Sequence, residues 1–177
     1  MKKPVRTTVV FGLISALLMV PVVWMLTDRL GWATGFKLAL WTDLALYSVL
    51  LVRWSEARLL PVLFPLGILL GAAIWPWSYA GYFLLALGIL SWVRSGICFK
   101  APPLRLIFAE TITMVGGAAL VAVWNPTSAP AWALAFWLFI LIQALYFYII
   151  PGGDRRSIDD ERDPFDLAMQ EVEKMLG

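Results

Sequence analysis

The chain has 177 residues, 61% of them hydrophobic, and 14 Lys and Arg against 12 Asp and Glu give a formal net charge of +2. That composition excludes a soluble globular protein, and we expect no nucleic-acid partner. The sequence has no His and a single Cys, Cys98. Without His the chain lacks the usual ligand of haem and zinc and the commonest general base, and a single Cys cannot form an internal disulfide. We therefore expect no cofactor, no metal site and no catalytic residue.

Six apolar segments predict an all-α integral membrane protein, a bundle of six transmembrane helices. Residues 59–93 carry no charge over 35 positions, and as one helix they would extend about 52 Å, well beyond a hydrocarbon core of about 30 Å. A turn is therefore predicted at Pro76, where Trp75 and Trp77 favour the membrane surface. The predicted spans cover about residues 7–26, 32–52, 59–75, 77–93, 104–124 and 130–150.

Positive charge is very unevenly divided between the two ends of these spans. Only Arg29 and Lys37 fall on one side, and the other twelve Lys and Arg fall on the side of both termini. Short cytoplasmic loops retain Lys and Arg, so both termini are predicted to be cytoplasmic, in a membrane of the bacterial inner-membrane type. Residues 1–153 form the predicted transmembrane bundle, and residues 154–177 form a cytoplasmic tail.

The tail is acidic and contains a predicted short amphipathic helix. It holds eight acids and four bases. Phe165, Met169, Val172 and Leu176 fall at helical spacing and make one apolar stripe. This stripe either packs against the chain's own loops and the membrane surface, or docks onto a partner subunit.

Three polar residues form a candidate intramembrane site. Asp43 lies near the middle of the second span, Glu110 lies about two turns into the fifth, and Gln143 lies in the sixth. A carboxylate inside a bilayer is costly and usually faces protein or water. Glu110 could pair with Arg105 or Arg94. These side chains either hold helices together through hydrogen bonds or take part in a proton relay.

Small residues four apart predict two places of close helix packing. Gly67 and Gly71 form a GxxxG pair on the third span. Ala109, Thr113 and Gly117 form a similar ridge on the fifth span, next to Glu110. The two ridges predict a compact bundle core.

The small size, the packing ridges, the tail and the lack of reactive residues favour a non-catalytic membrane subunit. It would help to assemble or anchor a larger inner-membrane complex, with the lipid bilayer and other membrane subunits as its partners. The alternative is a small proton-coupled transporter or carrier that uses Asp43 and Glu110. An intramembrane enzyme is disfavoured, because the missing histidine removes His-based mechanisms and most metal-dependent ones.

Overall fold

A computed structural model describes residues 4–76, 78–99, 101–124 and 128–150. Over these ranges the chain is helical, and no strand occurs among them. The tail, with Phe165, Met169, Val172 and Leu176, lies outside the described residues. The helices are α1 (Pro4–Leu30), α2 (Trp32–Ser55), α3 (Leu60–Ile74), α4 (Tyr79–Ser91), a π-helical segment (Trp92–Cys98), α5 (Pro103–Trp124) and α6 (Ala129–Ile149).

The described helices have the length and composition of a multi-pass membrane protein. Five helical stretches are long and apolar enough to cross a bilayer, counting α4 and the π-helical segment as one. The remaining helix, α3, is apolar but has 15 residues, about 22 Å of rise. The helices lie within a few residues of the predicted spans. The largest difference is at the fourth predicted span, where α4 ends at Ser91 and the chain continues as the π-helical segment.

Local chemistry determines where these helices begin. Gly31 has a φ of 79°, a left-handed conformation that Gly adopts without steric cost, so a single residue separates the end of α1 from the start of α2. The Ser78 hydroxyl accepts a hydrogen bond from the Gly81 amide and caps α4, and Ser128 does the same for α6. Each cap satisfies a backbone donor that a helix start leaves free.

The helices pack around one apolar core. Helix α1 packs against α2 and α6, and α5 packs against α6 and α4. Gly12 of α1 lies so close to α6 that an added Cβ would stand 2.5 Å from Ile140 Cγ2. At the other end of α1, an added Cβ on Gly35 of α2 would stand 2.9 Å from the Thr27 nitrogen. These close approaches show where the helix backbones meet.

The two predicted small-residue ridges lie in different environments. On α5, Ala109 and Thr113 are fully buried, and a Cβ on Gly117 would stand 3.0 Å from Leu87 of α4. On α3, Gly67 and Gly71 are exposed, and a Cβ on either would meet no described atom within 4 Å. Neither Gly67 nor Gly71 meets another helix within the described part of the chain, and their role in close packing stays a prediction. The apolar face of α3 that meets its neighbours is the opposite one.

We expect Gly12→Ala to lower the stability of the bundle by about 1–3 kcal/mol, because the new methyl group overlaps Ile140 and forces α1 and α6 apart. Gly71→Ala is the matched control, since its methyl group enters open space. Unfolding of the purified chain in detergent, followed by circular dichroism, measures both variants. Equal stability of the two variants would contradict the close contact at Gly12.

Candidate functional site

The strongest polar feature of the bundle is a buried arginine. Arg94 lies in the π-helical segment and only 1% of it is exposed. Its guanidinium group donates hydrogen bonds from all three nitrogens to side chains of α5 and α6. We call Arg94 and its partners Ser95, Glu110, Thr113, Gln143 and Tyr146 the arginine cluster.

Glu110 supplies the opposite charge. Arg94 Nε lies 3.1 Å from Glu110 Oε1, and Nη2 lies 2.7 Å from Oε2. The two parallel bonds make a bidentate ion pair, the strongest geometry between arginine and a carboxylate. The Ser95 hydroxyl also donates to Glu110 Oε1. The Glu110 side chain keeps 13% exposure, so the cluster reaches one edge of the bundle.

The remaining donors of Arg94 bind neutral oxygens. Nη2 lies 2.7 Å from Thr113 Oγ1, and Nη1 lies 2.5 Å from Gln143 Oε1. The Gln143 amide in turn donates to the Thr113 carbonyl oxygen over 3.4 Å. On another side, the guanidinium carbon lies 4.0 Å from the centre of the Tyr146 ring, a cation–π contact. The contacts of Arg94 thus connect the π-helical segment to α5 and α6.

Arg94 was predicted mainly as a cytoplasmic cation, and its place in the cluster depends on the π-helical segment. In this segment hydrogen bonds span five residues, as from the Phe99 amide to the Arg94 carbonyl at 2.8 Å. Each turn then holds more residues, which changes the direction of the side chains after α4. One signal in the sequence did point to a buried arginine: Ile97, Cys98 and Phe99 continue the apolar run beyond Arg94.

The three predicted intramembrane polar residues separate into two places. Glu110 and Gln143 meet at Arg94, and Thr113, predicted for packing, joins them. Asp43 lies elsewhere. It is half-buried in the middle of α2, and its carboxylate interacts with the Ser15 hydroxyl of α1. The described residues therefore contain no single site that holds both carboxylates.

A second buried cation lies toward the opposite ends of the helices. Lys37 of α2 is 3% exposed, and its ammonium group donates to the Trp75 carbonyl at the end of α3 over 3.2 Å. Its nitrogen also lies 5.9 Å from the ring centres of Tyr79 and Tyr82. The Tyr82 hydroxyl donates to the Lys37 carbonyl over 3.0 Å. Lys37 thus holds α2 against the turn between α3 and α4.

An apolar cavity lies between α1, α2 and α6 and is also lined by residues of α4 and α5. It is bordered by Met19, Leu40 and Phe136 and has a volume of about 10 Å³, which is space for about one water molecule. Within the described ranges, no three His, Cys, Asp or Glu side chains converge as metal ligands would. The chemistry that the arginine cluster itself provides is charge neutralisation and the fixing of helix positions.

No protein-family model, curated protein or solved structure matches this chain.

Removing one charge of the Arg94–Glu110 pair leaves the other buried and unpaired, and we expect Arg94→Gln to lower the free energy of unfolding by about 3–5 kcal/mol. Arg105→Gln is the control, because Arg105 is exposed at the start of α5. The double variant Arg94→Met/Glu110→Met should recover part of the loss, since no unpaired charge remains. Denaturation in mixed detergent micelles measures the free energy of unfolding of all three variants. If Arg94→Gln were as stable as Arg105→Gln, the importance of the ion pair would be contradicted.

Proposed function

We propose that the chain is a non-catalytic integral membrane subunit that helps to assemble or anchor a larger inner-membrane complex. The observation that carries this proposal is the arginine cluster, in which Arg94 and Glu110 neutralise each other inside the bundle. A substrate site or relay needs polar groups directed at a solute. Here the strongest polar groups bind one another and fix three helical segments, which suits a scaffold.

We also propose that the chain crosses the membrane six times, with both termini in the cytoplasm. Two observations support this topology. A crossing by α3, despite its 15 residues, is supported by the hydrogen bond that Trp41 of α2 donates to the Leu66 carbonyl halfway along α3. The burial of Arg94 and Lys37 removes one cation from each side and leaves the excess of Lys and Arg at the ends that bear the termini.

The acidic tail is the proposed docking segment for a cytoplasmic part of the complex. This part of the proposal depends on the apolar stripe of Phe165, Met169, Val172 and Leu176, and on the helix-in-groove binding that such stripes support. Its net negative charge disfavours adsorption to anionic lipid and favours a protein partner.

The alternative is a small proton-coupled carrier that uses Asp43 and Glu110. The geometry gives it less support, because Glu110 is engaged by Arg94 and Ser95 while Asp43 interacts with Ser15 on a different pair of helices. A carrier would need a route for protons between these two places.

Purification of the tagged chain from its native membrane in mild detergent, followed by native mass spectrometry, tests the subunit hypothesis. We expect stoichiometric partner subunits, and we expect deletion of residues 160–177 to release at least one of them while the bundle stays folded. A chain that purifies alone, as a monomer or homodimer, would favour the carrier.

The topology is tested by labelling single cysteines in a Cys98→Ala background with a membrane-impermeant maleimide. We expect Leu30→Cys, which is 49% exposed at the end of α1, to be labelled in intact spheroplasts. Arg105→Cys, at the exposed start of α5, should be labelled only after the membrane is opened. Labelling of both from one side would exclude the proposed six-span arrangement.

A further inference from the structure

We infer that Asp43 is a docking point for a transmembrane helix of a partner subunit, and that this helix carries a lysine or arginine near the membrane centre. The contact lies on the lipid-facing seam between α1 and α2. The inference rests on the proposed assembly function and specifies the chemistry of the partner.

The depth of Asp43 makes it exceptional. It is the twelfth residue of the 24-residue helix α2, about 16 Å from the first. Its side chain is too short to reach the membrane surface, unlike that of a lysine or arginine. A carboxylate at this depth is costly unless another group compensates it.

The bundle compensates its other intramembrane carboxylate fully and Asp43 only in part. Glu110 has an arginine in bidentate contact. Asp43 has the Ser15 hydroxyl, and it makes no ion pair with any described residue. A hydroxyl donates one hydrogen bond, whereas a carboxylate offers about four acceptor positions. The carboxylate therefore retains capacity for a strong donor from outside the bundle.

The surroundings of Asp43 leave room for such a donor. Leu46, three residues after Asp43, is 53% exposed, and Leu18, three residues after Ser15, is 56% exposed. Residues three apart lie on neighbouring positions of a helix surface, so these side chains border the half-buried carboxylate on both sides of the seam. The neighbouring Thr42 hydroxyl donates to the Leu38 carbonyl of its own helix over 2.9 Å and does not compete.

Charge complementarity selects the occupant. The exposed rim of the seam at Leu18 and Leu46 is apolar, so lipid tails would suit these side chains but would add no donor to the Ser15 hydroxyl at the carboxylate. A partner helix with a lysine or arginine covers the apolar rim and also pairs the charge. The exposed face of α3 at Gly67 and Gly71 permits close packing, but it carries no polar group that would select a partner.

The test uses the full chain reconstituted in phosphatidylcholine vesicles with a fluorescent polyleucine transmembrane peptide that has one central lysine. Energy transfer measures its association, and the same peptide with leucine in place of lysine is the reference. We expect wild type to bind the lysine peptide about tenfold more tightly than the leucine peptide. Asp43→Asn should abolish this preference, whereas Asp28→Asn, an exposed carboxylate at the end of α1, should retain it.

Equal binding of the two peptides by wild type would overturn the inference, and so would a preference that persists in Asp43→Asn. Because the first of these results needs no variant, misfolding of Asp43→Asn cannot hide it. Purification of the same variants from native membranes separates this inference from the proposed function. If partners co-purify with Asp43→Asn as well as with wild type, the inferred role of Asp43 is refuted but the assembly function is not. If wild type purifies without partners, the assembly function is refuted.

Discussion

The ion pair between Arg94 and Glu110 is the constraint on which the described bundle depends. Burial within the bundle leaves little water to solvate either charge, so each residue is tolerable there only beside the other. The pair joins the π-helical segment to α5, and Gln143 extends the connection to α6. Any rearrangement that separates these helical segments would leave two uncompensated charges. The cluster therefore specifies one arrangement more strongly than apolar contacts alone.

Helix α5 shows why this constraint matters. Among its residues whose burial the structure describes, the buried ones are the small residues Ala109, Thr113 and Gly117, and much of the remaining surface is exposed. Lipid tails are as apolar as leucine, so apolar burial gives little preference for protein contact over lipid contact. The small ridge lets α5 approach α4 and α6 closely, and the ion pair then determines its position along them. Packing and electrostatics act on the same short stretch of the helix.

Much of the architecture could be predicted from the sequence, because helical spans must be long and apolar whatever surrounds them. The sequence predicted the turn at Pro76 and the position of Glu110 about two turns into α5 in this way. The site was predicted in part: Arg94 was one of two arginines considered for Glu110, and Gln143 was expected to bind between helices. The GxxxG pattern of Gly67 and Gly71 did not indicate what these residues meet, since the pattern is the same whether it faces a helix or lipid.

By itself, the sequence determined the helices and their approximate ends, since hydropathy and helix-breaking residues act locally. It also limited the chemistry, because a chain without His cannot supply an imidazole. Only the tertiary structure decided which polar residues meet. The π-helical segment directs Arg94 toward Glu110 and Gln143, and the pairing of α1 with α2 leaves Asp43 with Ser15. Such contacts depend on how each helix is rotated about its axis, and in a bilayer hydropathy barely specifies that rotation because every face is apolar.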